Sequence, residues 1–248
     1  METGNTLQAQ STPELPLDVW DAIRDCLSMG DILALSQVNH ALHDQIHTVE
    51  TQDRLTVALE TPDLRLIVIT GHGDDIHLDR EPVSGARIVT ARPLTAAAGR
   101  IHILGDVLVT ATGSAHVTAH GQATVYAEGQ AHVTAHDQAT VYAEGQAHVT
   151  AHGQASVQAT GHARVAAHDQ AGVQAADHAH VAAHGQVFVQ ATGRAEVDAH
   201  DRASVNAWDR VRVTAHDRAT VNAWEHAHVT AHDGASVHPH DQVQVTRV

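Results

Sequence analysis

Residues 115–130 read AHVTAHGQATVYAEGQ, and this eight-residue phrase recurs until sixteen copies are complete at residue 242. The consensus is Ala-x-Val-x-Ala-x-(Gly/Asp)-x, with apolar residues at the first, third and fifth positions. Such alternation is typical of a β-strand with one buried face. Gly or Asp at the seventh position, with Glu225 as the exception, predicts a tight corner with positive φ. Since one such strand cannot bury its own face, the copies are expected to stack as a β-solenoid.

The sixth position of the phrase sets the length of one turn. It is His in every second copy and varies in the copies between them, so the true period is sixteen residues, or two strands per turn. We therefore predict a mainly β protein, a flattened two-sheet β-solenoid with eight regular turns, one His edge and one variable edge. Neighbouring imidazoles of the His edge should lie about 4.8 Å apart. This His ladder consists of His120, His136, His152, His168, His184, His200, His216 and His232.

Composition limits the classes to which the chain can belong. Hydrophobic residues make up 43% and charged residues 17%, which argues against intrinsic disorder. We expect no membrane partner and no signal peptide, because no apolar run approaches membrane-spanning length and the N-terminus lacks basic and apolar regions. The formal net charge of −15 argues against a nucleic-acid partner. The single Cys26 excludes an internal disulfide framework and fits a reducing compartment.

The basic residues have an unusual distribution. All 14 of them are Arg, and the chain contains no lysine. A GC-rich genome, which favours Arg codons, would explain this composition. The alternative is that lysine has been avoided because it is the acceptor for ubiquitin-like tags.

The N-terminal 48 residues follow a different pattern. Residues 1–13 are polar and predict a disordered tail. Residues 15–46 read LPLDVWDAIRDCLSMGDILALSQVNHALHDQI, with apolar residues at helical spacing. Pro16 suits a helix start, and Asp31 after the break at Gly30 suits the cap of the next helix. We predict a helical domain over residues 14–48, a bundle of about three helices that must pack on another element to be stable.

The order and spacing of these residues resemble the F-box family: Leu15-Pro16, Asp18, Ile23, Leu27, Asp31-Ile32, Leu35 and Val38. The resemblance implies docking onto the Skp-type adaptor of a cullin ubiquitin ligase, with the remainder of the chain left to hold a protein substrate. The alternative is that the helices only cap the N-terminal end of the solenoid, as repeat arrays require. The resemblance implies a partner-binding or bundle-core role for Leu15, Pro16, Ile23, Leu27, Ile32, Leu35 and Val38.

The remaining segments extend the solenoid at both ends. Residues 49–106 contain short β-prone runs, LTVALE, LRLIVIT, DIHLD, ARIVTA and RIHILG, which we interpret as irregular first turns widened by Leu and Ile. The regular solenoid occupies residues 107–248. It stops at VQVTRV, still in strand pattern, which predicts an open edge. We expect a homodimer through Val243, Val245 and Val248 at this edge.

The His ladder is the main chemical feature of the repeat. We assign no resident metal or cofactor, but neighbouring imidazoles could share a Zn²⁺ or Ni²⁺ ion, so the eight ladder residues are weak candidates as ligands. The alternative is that His recurs only because the repeat was duplicated. Because protonated neighbours repel one another, stability should fall as the pH falls through about 6. The aspartates that could orient the rings are Asp137, Asp169, Asp201, Asp217 and Asp233.

Aromatic residues on the solenoid are candidates for partner binding. Exposed aromatic side chains are enriched at binding surfaces. Trp208 and Trp224 occupy neighbouring turns of the variable edge, so mutual packing is an equal alternative for them. The candidates on the solenoid are Phe188, Trp208 and Trp224.

These patterns favour a non-enzymatic interaction protein. A hydrolase needs a nucleophile, a base and an orienting group in a concave site, whereas stacked repeats offer flat sheets. We therefore predict an F-box-type substrate adaptor of a cullin ubiquitin ligase, in the cytoplasm or nucleus of a eukaryotic host cell. The alternative is a structural or self-assembling solenoid scaffold, responsive to metal or pH through the His ladder, in which the helices are only a cap.

Overall fold

The structure, a computed structural model, describes residues 46–64, 66–70, 76–84, 86–90, 92–103 and 105–248. Within them the chain forms two parallel β-sheets, of thirteen and eleven strands, and one short helix. From the second strand onward, successive strands alternate between the sheets, so two strands and two corners complete one turn of sixteen residues in the repeats. The predicted two-sheet β-solenoid is confirmed, with about twelve turns in all.

The two sheets are named A and B. In spatial order, sheet A contains β1 (Ile46–Val49), β2 (Leu66–Ile69), β4 (Arg87–Thr90), β6 (Arg100–Ile103), β8 (His116–Ala119), β10 (His132–Ala135), β12 (His148–Ala151), β14 (Arg164–Ala167), β16 (His180–Ala183), β18 (Glu196–Ala199), β20 (Arg212–Ala215), β22 (His228–Ala231) and β24 (Gln244–Arg247). Sheet B contains β3 (Ile76–Leu78), β5 (Leu94–Ala96), β7 (Leu108–Ala111), β9 (Thr124–Ala127), β11 (Thr140–Ala143), β13 (Ser156–Ala159), β15 (Gly172–Ala175), β17 (Phe188–Ala191), β19 (Ser204–Ala207), β21 (Thr220–Ala223) and β23 (Ser236–Pro239). Helix α1 (Gln52–Glu60) lies between β1 and β2.

Equivalent positions of the phrase stack directly on one another. Val133 of β10 pairs in register with Val117 of β8 and Val149 of β12. The Ala and Val side chains point inwards; Val133 is 2% exposed and Ala135 is fully buried. Burial of one Val side chain contributes about 1.5–3 kcal/mol. The core of the repeats therefore depends on many small contributions repeated at every turn.

Larger side chains fill the first turns. The largest fully buried residues are Leu, Ile and Val between Val49 and Ile103. These strands belong to the same two sheets as the repeats, and Ile101 of β6 lies opposite Val117 of β8. Four of the β-prone runs, LRLIVIT, DIHLD, ARIVTA and RIHILG, contain β2, β3, β4 and β6.

The interpretation of LTVALE as a strand is wrong, because these residues form most of helix α1. Apolar residues at 55, 57 and 59 fit a strand, but apolar residues at 55, 58 and 59 fit a helix equally well. Thr51 decides between them, since its side-chain oxygen accepts a hydrogen bond from the N–H of Arg54 at 3.4 Å and caps the helix. Leu55, Ala58 and Leu59 are buried, whereas Val57 is 64% exposed.

Helix α1 also covers the first edge of sheet B. The side-chain amide of Gln52 donates to the carbonyl of His77 at 3.0 Å and accepts from its N–H at 2.9 Å. A side chain thus pairs with the N–H and the carbonyl of His77 in the edge strand β3, groups that an unpaired edge would leave open. Helix α1 therefore covers this edge at His77 through its first residue, Gln52. The tail 1–13 and residues 14–45 of the predicted helical domain lie outside the described residues, and β1 already begins at Ile46.

The seventh position of the phrase adopts positive φ, as predicted, in fifteen of the sixteen copies. At the corner of Asp233 the next residue, Gly234, adopts it instead, with a φ of 92°. The φ angles are 57° at Asp137, 66° at Gly161 and 59° at Glu225. Aspartate adds a contact that glycine lacks: the carboxylate of Asp137 accepts a hydrogen bond from the N–H of Gly121, one turn earlier, at 3.1 Å. This bond explains why Asp tolerates the conformation here.

Substitution of Gly161 tests the corner. Gly161 has a φ of 66°, and a Cβ added to it would lie 3.2 Å from the backbone nitrogen of Gly145. A Cβ added to Gly172, in β15, would have no neighbouring atom within 4 Å. We expect Gly161→Ala to lower the free energy of unfolding by about 1–2 kcal/mol. Gly172→Ala should raise it by about 0.5–1 kcal/mol. Urea unfolding measures both.

Gly161→Asp serves as the matched control for the corner. It should cost less than Gly161→Ala, because its carboxylate can accept the N–H of Gly145 as the other corner aspartates do. Equal losses in Gly161→Ala and Gly172→Ala would contradict this explanation of the corner.

Candidate functional site

The His ladder lines the corner where each strand of sheet A leaves for sheet B. All eight imidazoles are stacked, with centroid separations of 4.2–5.3 Å and interplanar angles of 2–12°. The predicted spacing of about 4.8 Å is confirmed. Backbone bonds hold each ring in line: the N–H of His136 donates to Ala119 of the preceding turn at 2.9 Å, and its carbonyl accepts from Ala139 at 3.1 Å.

Stacking does not create a metal site. A metal ion needs lone pairs that converge on one point, whereas parallel rings direct their nitrogens side by side. In the part of the chain that the structure describes, no group of three or more His, Cys, Asp or Glu side chains is placed to hold a metal ion. Metal binding by pairs of ladder residues stays a prediction.

Corner aspartates lie close to the ladder. Nδ1 of His120 is 3.9 Å from Oδ2 of Asp137, which is too long for a hydrogen bond but short enough for a charge interaction. The predicted orienting contact is thus electrostatic, and the same carboxylate also holds the backbone of Gly121. Two further pairs have the same arrangement, His152–Asp169 at 3.9 Å and His200–Asp217 at 3.8 Å.

The pKa of His216, within the ladder, lies below the usual value for His. Desolvation by burial is the main cause, followed by repulsion from His232 and His200, whose ring centroids are 4.2 and 4.6 Å away. Asp217 and Asp198 act in the opposite direction and raise the pKa. The balance favours a neutral imidazole at this position in the folded protein.

A second, shorter His stack lies on the outer face of sheet A. The rings of His116, His132 and His148 are 4.7 and 4.8 Å apart. Burial, then His132, then Arg164 lower the pKa of His148. This stack was not predicted, although the sequence carries its signal as His at three positions sixteen residues apart.

A hollow of about 440 Å³ interrupts the same face. It lies where Ala166 and Ala182 occupy a column that holds Thr150 in the turn before them and Asp198 in the turn after them. Glu196 lies beside it and accepts a hydrogen bond from Arg212 at 3.1 Å, with Nδ1 of His180 at 3.2 Å on its other side. These pairs are solvent-exposed and add little stability. They give an otherwise uniform surface a local pattern of charge.

The aromatic candidates lie on the surface of sheet B and its variable edge. Phe188 is 42% exposed. Trp208 and Trp224 are half-buried and stack at 5.1 Å with an interplanar angle of 9°, and His240 continues the stack at 5.1 Å. The mutual packing that the sequence offered as an alternative is therefore present. Partner binding by these three residues stays a prediction.

The other candidates lie at the two ends of the chain. At the C-terminal end, Val243 and Val245 are half-buried against the core, and Val248 is 69% exposed. The strands β23 and β24 form the last edge of each sheet. The F-box-like residues lie outside the described residues: Leu15, Pro16, Ile23, Leu27, Ile32, Leu35 and Val38.

The chain was compared with known proteins. No family model, no curated protein and no solved structure matches the chain. Among the described residues, no helix combines the length and the hydrophobicity needed to cross a membrane.

The His ladder should make stability depend on pH. Since the pKa of His216 is lower in the folded state than in the unfolded chain, the unfolded chain binds more protons, so stability rises with pH. The contribution of the neutral His216 ring to the free energy of unfolding is complete above about pH 6.5, the ordinary pKa of His in the unfolded chain. This contribution is lost as the pH falls below that value. We expect the melting temperature to fall between pH 7 and pH 5, as measured by circular dichroism.

His216→Gln should reduce this pH dependence, because it removes the titrating ring between two others. His226→Gln is the matched control, since His226 is exposed and lies outside the ladder. A melting temperature that stays constant over this range, or an equal effect of the two variants, would refute the assignment.

Proposed function

We propose that this chain is a non-enzymatic interaction protein whose β-solenoid is a rigid platform for a protein partner. The observation that supports this is the contrast between a constant interior and a variable surface. At one outward position of sheet A, successive turns carry His148, Arg164, His180, Glu196 and Arg212. The neighbouring inward position is Val in every one of these turns. Variation confined to the surface favours recognition, because it leaves packing unchanged.

The finer proposal is that the platform belongs to a substrate adaptor of a cullin ubiquitin ligase. The F-box-like order of Leu15-Pro16, Ile23 and Leu27 supports it, as does the absence of lysine, the acceptor of ubiquitin. Helix α1 adds support. Since Gln52 already pairs with His77 at the first edge of sheet B, the described residues cover that point of the edge without a contribution from residues 14–45.

Co-purification with a Skp-type adaptor tests the finer proposal. The full chain should retain the adaptor, and Leu15→Ala with Pro16→Ala should reduce the retained amount at least about tenfold. Val57→Ala is the control, since Val57 is exposed on α1 and lies outside the F-box-like segment. If the unmodified chain retains no adaptor, the ligase role is excluded, and only the proposal that the solenoid binds a protein partner remains.

A second copy of the chain is the partner that we propose for the C-terminal edge. Among the described residues, no strand pairs with the outer sides of β23 and β24, and Val237, Val243 and Val245 are only half-buried there. An edge with unpaired backbone groups and apolar side chains favours association. A two-fold dimer through this edge would place the N-terminal segments at opposite ends.

Light scattering coupled to size exclusion tests the dimer. We expect twice the 26.3 kDa of one chain. Val245→Lys should yield the monomer, because Val245 packs against the core at this edge and a lysine there would bury a charge between the two copies. Thr246→Lys on the same strand points outwards and should leave the mass unchanged. A monomer for the unmodified protein would exclude this assembly.

A further inference from the structure

A second hollow, of about 200 Å³, lies where sheet B meets the variable edge. Its lining includes small residues at the edge position of three successive turns, Thr160, Ala176 and Thr192, and Trp208 at the same position of the next turn. The polar side chains that line it are Gln158, Gln174, Gln190, Thr160 and Thr192.

The three glutamines form a regular column. Gln158 of β13 pairs with Gln174 of β15, which pairs with Gln190 of β17, so their amides recur about every 4.8 Å along the solenoid. Each amide offers two N–H donors and one carbonyl acceptor. The column therefore presents alternating donors and acceptors to a ligand that runs along the axis.

Trp208 presents an apolar surface to the same hollow. One side of its indole is stacked on Trp224 at 5.1 Å. Its backbone N–H donates to Ala191 at 3.0 Å, which fixes it in the turn directly after Thr192. Because Thr192 is small, the other side of the indole remains open toward the hollow that it lines.

The lining selects the ligand chemistry. The described residues that line the hollow carry amide, hydroxyl, methyl and indole groups, all uncharged. A phosphate backbone or an acidic peptide would need cations there. A neutral sugar instead offers hydroxyls that donate and accept, and a C–H face that packs on an aromatic ring.

We propose that this hollow is a saccharide-binding site. One sugar ring packs on the open face of Trp208, and the following rings extend over the column of Gln190, Gln174 and Gln158. The site is independent of the N-terminal segment, and therefore of the proposed adaptor role.

Titration of the full chain with cellohexaose, chitohexaose and maltohexaose tests the proposal, with tryptophan fluorescence and calorimetry as readouts. At least one of them should bind with a Kd of about 1 mM or tighter and change the indole emission. Trp208→Thr, which continues the Thr192 column, should weaken that binding at least about tenfold. Gln174→Leu keeps the side-chain size but removes its hydrogen bonds, and should weaken binding about threefold to tenfold.

Tyr126→Gln is the matched control. It removes an exposed aromatic ring from sheet B, two turns before Gln158 in the same column and outside the lining of the hollow, so affinity should stay within about threefold. Circular dichroism confirms that each variant keeps its β-structure. Absence of binding by all three hexasaccharides at about 10 mM overturns the proposal. An equal loss in Trp208→Thr and Tyr126→Gln, or no loss in Gln174→Leu, overturns the location.

Discussion

The in-register pairing of each residue with its equivalent sixteen residues away is the constraint on which this molecule depends. Inside, it places Val on Val and Ala on Ala, where a single mismatch in volume would be felt in two neighbouring turns. On the outer surface, it places identical side chains of neighbouring turns next to each other. Examples are the hydrogen bond of 2.9 Å between Asn222 and Asn206 and the stacking of Tyr126 on Tyr142 at 4.9 Å. Neutral side chains gain from such contacts, while identical charges repel.

Register therefore explains the chemistry of the surface as well as the packing of the core. A His that recurs at one position becomes a stack of imidazoles, and the low pKa of His216 follows from its burial and its two neighbours. An aspartate at a corner reaches the backbone of the turn before it, as Asp169 does with the N–H of Gly153 at 3.0 Å. Sites with a distinct character arise where the repetition breaks, at Ala182 on sheet A and at Trp208 on the variable edge.

The sequence predicted the features that follow from the period alone. Two-residue alternation, Gly or Asp at each corner and His in every second copy led to the two sheets, the positive φ angles and the stacked ladder. It could not predict features that depend on distant partners. LTVALE fits two periods, and capping by Thr51 and packing of Leu55 and Leu59 made it helical. The pairing of Gln52 with His77 and the contacts of Glu196 join residues whose proximity no local pattern indicates.

The corner with positive φ has a consequence for how such a chain can change over time. Two corners return the chain to the same direction after sixteen residues, so a duplicated or deleted sixteen-residue unit leaves the contacts of the other turns as they were. The axial length then changes in steps of about 4.8 Å. The distance along the axis between the N-terminal segment and a surface residue such as Trp208 can therefore change only in whole turns. The number of sixteen-residue repeats encoded between them determines that distance.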